Sequence, residues 1–155
     1  MTVFAHGLSA ALIAIVLTGV KHNETGYVFT AIAAASVLDL DHLYYLVRDR
    51  RLYLKQGLAG NMHKARSLAH ELMGMLIVSV ICGLIYFWNI KLATVIFLAF
   101  LVHTAEDMIM GKSMPFIPFD KTELQFFRPS LKQKTAVDVV VIIVCLLLWI
   151  QYLGG

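Results

Sequence analysis

The feature that most limits what this chain can fold into is its division into five long apolar runs, 3–20, 27–47, 68–88, 90–110 and 136–153, none of them interrupted by proline. At a rise of about 1.5 Å per residue, each is long enough to cross the ~30 Å hydrocarbon core of a bilayer as a helix. Between them lie short connections, 21–26, 48–67, the single Asn89 and 111–135, the last holding all the prolines. With 59% hydrophobic and only 15% charged residues, and a mean hydropathy of +0.76, the composition excludes an ordinary soluble domain. The expected fold is therefore all-α: a polytopic transmembrane helix bundle of about five spans, forming one membrane-embedded domain over 1–155 without a soluble appendage.

Basic residues set its orientation, because short loops rich in Lys and Arg stay in the cytoplasm. Arg48, Arg50, Arg51, Lys55, Lys64 and Arg66 belong to the second connection, and Lys112, Lys121, Arg128, Lys132 and Lys134 to the fourth. Only Lys21 and Lys91 fall on the other side, so the N-terminus is expected inside and the C-terminus outside. The net charge of +3 then reads as membrane orientation and attraction for anionic headgroups, and it calls for no nucleic acid. No basic residue precedes the first run, which reads as a retained span rather than a signal peptide. Cys82 and Cys145 lie singly inside apolar runs and read as packing residues.

An ionisable group inside a span is costly and marks a functional site by default. His6, Asp39, Asp41, His42, His70, Glu71, His103, Glu106, Asp107 and Asp138 all fall within the apolar runs. Counting helical rise from the outer end of each span puts Asp39 at about 18 Å, His103 at about 20 Å and His6 at about 21 Å. His42 and Asp138 follow at about 22 Å, Asp107 at about 26 Å and His70 at about 27 Å, all in the inner part of the core. Residues scattered over most of the sequence thus share one layer.

Asp39 and His42 are three apart, and His103 and Asp107 four apart, so each pair projects from one helix face. Imidazole with carboxylate and no thiolate suits zinc, manganese or iron better than calcium, and the surplus of donors allows one to three ions. The competing reading of each pair is a buried structural ion pair; the common depth favours metal. His6 alone would read as an interfacial histidine. Asp138, near the start of the last run, reads as answering the helix dipole. His63, in the basic connection, is as compatible with a surface role as with the site.

The run Asp39-Leu-Asp41-His42 after an apolar helix, Arg66-Ser-Leu-Ala-His70, the His103-x-x-x-Asp107 pair, a following Gly- and Pro-containing stretch and His6 near the start resemble the YdjM-type family of inner-membrane metal-dependent hydrolases. The resemblance runs from His6 to about Phe119 and rests on order and spacing. It implies a helical metal site similar in ligand type to the zinc-dependent phospholipase C and nuclease fold, and with it a phosphoester substrate. The third element departs from the family's His-Arg-x-x-Thr-His-Ser: Ala65 precedes Arg66, Ala69 stands for the threonine and Glu71 for the serine. One histidine is missing from its place, and His63 or Glu71 is left to fill it.

Joined to the residues, the resemblance implies a hydrolase of a phospholipid-type ester at the cytoplasmic face of the inner membrane. His6, Asp39, His42, His70, His103 and Asp107 would bind divalent metal, zinc foremost; Asp41 or Glu71 would be general base or bridging ligand. Arg66 would fork onto a phosphate, with a plain positive-inside role as its alternative. The stretch 114–120 with Phe126 and Phe127 reads as an aromatic belt, or else as a lid or lipid guide. Two other classes compete: a small metal or proton transporter, which calls for polar residues at several depths, and a structural membrane protein whose metal only staples helices.

Overall fold

The computed structural model describes residues 3–40, 47, 70–111, 113–127 and 129–154. Asp41, His42, His63 and Arg66 lie outside the described residues. Those described form five α-helices: α1 (Val3–Leu17), α2 (Thr25–Val37), α3 (Leu72–Tyr86), α4 (Ile90–Met110) and α5 (Leu131–Gly154). Of these, α4 and α5 are long and apolar enough to cross a membrane, whereas α1, α2 and α3 are shorter apolar helices. The 15 residues of α1 or α3 rise only about 22 Å.

The helices end short of the apolar runs for local reasons. At α1, Gly19 takes φ +61°, and the Val20 and Gly19 amides bond back to Ile15 and Val16 at 3.0 and 3.2 Å, a Schellman closure that needs the left-handed glycine. Between α3 and α4 the expected single-residue turn is a three-residue one, Phe87 to Asn89, and the Asn89 side chain caps α4 by accepting from the Leu92 amide at 2.9 Å. In contrast, α5 starts five residues before the apolar run, because Ser130 and Gln133 cap each other: the Ser130 amide donates to Gln133 Oε1 at 2.8 Å, and the Gln133 amide to Ser130 Oγ at 3.4 Å.

α1 packs against α2, α4 and α5, and α4 also receives α2 and α3. The seam between α1, α2 and α4 is built from small residues: Ala10, Ala11 and Ala14 face Ala31 and Ala35 of α2 and Val95 and Ala99 of α4 in one buried cluster. Small side chains let helix backbones approach closely where lipid provides no hydrophobic drive. At Gly7 a Cβ would stand 3.1 Å from Ser36 Oγ, so the α1–α2 contact leaves scarcely any room there. The periphery is the reverse of a soluble surface. Leu76, Ile77, Val80 and Leu84 of α3 and Val140, Ile143, Leu147 and Ile150 of α5 are all exposed, which fits helices solvated by hydrocarbon.

Polar groups gather at the two poles. At one, Lys91 pairs with Glu24 at 2.6 Å, Asn89 Nδ2 donates to Tyr27 Oη at 3.0 Å, and Tyr152 donates to the Val20 carbonyl at 3.0 Å. The other pole carries the candidate site. Cys82 and Cys145 are buried free thiols, as expected of packing residues.

Candidate metal centre

Four elements deliver side chains to the second pole. α4 contributes His103 and Asp107, one turn apart on the face that packs inward. Asp39 arrives just past α2, where its amide bonds to the Ser36 carbonyl at 3.1 Å and turns the chain over the helix end. His70 sits in a short turn ahead of α3, and His6 lies near the start of α1.

All five are buried: His70 and His103 at 0% exposure, His6 at 1%, Asp39 at 4% and Asp107 at 6%. One donor atom each from Asp39, His70 and His103 lie within 4.8 Å of one another. His103 Nε2 stands 3.8 Å from Asp39 Oδ1 and 3.9 Å from Asp107 Oδ2, and His70 Nε2 is 3.8 Å from the same Asp107 oxygen. Ligands at tetrahedral corners about 2.1 Å from a zinc ion stand about 3.4 Å apart, so the close pairs at 3.8 and 3.9 Å are slightly wider than a closed sphere, and the set as a whole, within 4.8 Å, would have to draw in around an ion. Two imidazoles and carboxylate, dry and without thiolate, fit a borderline divalent cation. A buried set of this kind is costly without a cation to balance its acids.

His6 extends the cluster. Its ring stacks on that of His103 with centroids 4.6 Å apart, and its Nε2 lies 3.2 Å from Asp107 Oδ1. Its other nitrogen, Nδ1, is held by Glu106 Oε2 at 2.8 Å. A carboxylate gripping the far nitrogen of an imidazole is how metal-binding histidines are commonly oriented. Glu106 was not assigned a role from sequence, although its place three residues after His103 puts it on a neighbouring stripe of α4.

Glu71 has a different surrounding from the span interior expected for it. It stands in extended backbone at the position capping α3, and its carboxylate accepts the Ser113 hydroxyl and, at 2.9 Å, the Met114 amide. It thereby ties the segment after α4 to the residue beside His70. Ser113, fully buried, carried no sequence signal, since the two partners are far apart in the chain.

Asp138 requires a correction. Because α5 begins at Leu131, this residue lies beyond the first turn, which contains no acid, and a dipole acts chiefly within that turn. Instead it is buried on the same face as Cys145 and Trp149, the latter donating to the Leu8 carbonyl of α1 at 3.2 Å.

The family model described as YdjM inner membrane protein matches residues 1–154. The chain belongs to this family. Membership in the YdjM family over essentially the whole chain, with α4 and α5 long and apolar enough to cross a bilayer, makes it an inner membrane protein. No curated protein and no solved structure matches the chain.

Proposed function

We propose that this protein is a multi-pass, metal-dependent hydrolase of a phospholipid-type ester, working at the cytoplasmic interface of the inner membrane as a single domain. One observation carries the reading: Asp39, His70 and His103, from three separate elements, converge with His6 and Asp107 in a buried layer at one pole. The five apolar runs and the distribution of basic residues support five spans with the N-terminus inside, which puts that pole near the inner leaflet.

Zinc is the proposed ion, held by His6, Asp39, His70, His103 and Asp107, with His42 as a further donor from the sequence motif. When bound it would supply Lewis acidity toward an ester oxygen and lower the pKa of coordinated water to about 7. The remaining chemistry belongs to the chain. Glu106 fixes the ring of His6. Asp41 is proposed as the general base, and Arg66 as the guanidinium that forks onto the phosphate. Glu71, with its carboxylate engaged by Ser113 and Met114, is the weaker candidate for the base. A site just beneath the headgroups suits a substrate whose head is cut while its tails stay in the bilayer.

A transporter would need polar groups along a path. Toward the Lys91 pole, α1 and α4 bury Ala10, Ala11, Ala14, Ile15, Val95 and Ala99, and the hydroxyl of Ser9 bonds back to the Ala5 and His6 carbonyls of its own helix.

The test is elemental metal analysis of the purified protein, joined to a screen for water-soluble phosphate products from a mixed lipid extract. Bound zinc, with product release lost in His103→Ala and Asp39→Ala, is the expected result. A folded protein without metal ends the proposal; metal bound with no lipid product and no exchangeable ligand would instead make the site a helix staple.

A further inference from the structure

The segment 113–127 is an ordered loop rather than a passive tether. Ser113 and Leu124 pair across it through two backbone bonds of 2.9 and 2.8 Å, and Thr122 donates both its amide and its hydroxyl to Asp120 Oδ1. At its tip, Pro115 and Pro118 have no N–H to satisfy, while the amides of Ile117, Phe119 and Asp120 bond to Met114 and Phe116 carbonyls within the tip. Backbone at the bilayer surface is least costly where its donors are paired internally, and in this tip three amides are so paired and two positions have no amide hydrogen.

Its side chains point to the same surroundings. Phe119 is 86% exposed, Phe126 63%, Phe127 60% and Phe116 54%, four large aromatics left uncovered in one short stretch. Solvation by water would penalise them, and single exposed aromatics are common but a cluster is not. The loop joins α4 to α5, the two helices that pass as membrane spans, so both its ends are at the membrane edge. The connection 111–135 carries Lys112, Lys121, Arg128, Lys132 and Lys134 against Asp120 and Glu123. This excess of positive charge complements anionic headgroups.

We propose that loop 113–127 together with the first turn of α5 is an interfacial lipid-binding platform: its phenylalanines enter the leaflet at the metal-site pole, Lys121 with Lys132 and Lys134 of α5 engages anionic headgroups, and Glu71 bolts the base of the loop beside His70. Which leaflet this is rests on the topology proposed above. The platform's occupant is an anionic lipid surface, and it would hold such headgroups next to the metal layer.

Nitroxide labels at Phe116→Cys, Phe119→Cys and Lys121→Cys, each in a Cys82→Ala/Cys145→Ala background and reconstituted into vesicles, test this. Collision with oxygen, which concentrates in lipid, is compared with collision with a water-soluble nickel chelate. Labels at 116 and 119 should favour oxygen and the one at 121 nickel, with immersion at 119 deepening when anionic lipid replaces part of a zwitterionic bilayer. The triple change Lys121→Gln/Lys132→Gln/Lys134→Gln should remove that dependence. Nickel access at 116 and 119 equal to that at 121 overturns the proposal, as does dipolar broadening that reveals a second copy over the loop. For any labelled variant that does not fold, hydrogen exchange of 116–119 in the unmodified protein decides: protection in anionic vesicles above that in detergent supports the platform, and equal exchange overturns it. Metal content in the same preparations reports separately on the site, so loss of one reading leaves the other standing.

Discussion

A carboxylate buried in a membrane helix must be answered by a proton, a cation or hydrogen-bond donors, and the acids of this layer are answered in different ways. Glu71 receives a hydroxyl and an amide; Glu106 receives His6; Asp39 and Asp107 face the imidazoles of His103 and His70. Different substitutions should therefore fail differently. Glu106→Gln keeps the shape but weakens the hold on Nδ1 of His6, and should lower metal affinity about 10- to 100-fold in a chelator competition, with the helical spectrum unchanged. Glu71→Ala strips the partners from Ser113 and Met114, and should cost about 1–3 kcal/mol in denaturant unfolding while metal content at saturation is retained. If it abolished metal binding instead, Glu71 would be a ligand. His103 and Asp107 could be paired from the sequence because one helix turn relates them. The Glu71–Ser113 contact could not, since nothing local links two residues brought together only by the packing of α3 on α4.

At the scale of elements, the centre of every helix followed from apolar content, whereas the ends depended on caps that a hydropathy window passes over. Ser130-x-x-Gln133 is a capping box written in the sequence, yet it lies among polar residues outside the apolar run, so α5 starts earlier than that run suggests. Asn89 is the converse case: the turn was evident, and its capping role sets where α4 begins. Asn89→Ala should lower stability by about 1 kcal/mol, read as a drop in Tm. Across from it, Glu24 accepts the Lys21 amide at 2.8 Å and the Lys91 ammonium at 2.6 Å. The Lys21 hydrogen bond foremost, then Lys91, holds its carboxyl below the usual glutamate value. A depressed carboxylate contributes above the normal glutamate range and loses that contribution as pH falls through its lower folded value. The carboxyl resonance of Glu24 should accordingly titrate below free glutamate and move upward in Lys91→Ala; an unchanged midpoint would mean that Lys91 does not hold it.

For the whole molecule, the shared layer was legible because antiparallel helices convert sequence distance into depth. Counting rise along each run brought His6, Asp39, His70, His103 and Asp107 to one level together with His42, which lies outside the described residues, and Asp138; the structure places the first five together at one pole, while Asp138 is buried on the Cys145 and Trp149 face of α5. What depth cannot give is azimuth, so Glu106, on a neighbouring stripe of α4, joined only when α1 was packed beside it. On the proposed reading, a bound ion should stabilise a molecule built this way. Removing metal with a chelator should lower the unfolding temperature, and zinc at about 100 times its Kd should restore about 2.7 kcal/mol, with magnesium far less effective. Reporter fusions check the proposed topology: alkaline phosphatase joined in 21–26 should be active, and joined in 111–135 inactive. The donors are also far apart in the chain, since His6 is synthesised long before His103 and Asp107. During biogenesis the first helix waits in the lipid with the His6 imidazole unanswered until the fourth delivers Glu106 and Asp107; on the proposed reading, loading of an ion would then be a late event, open only to chains whose fourth helix has arrived.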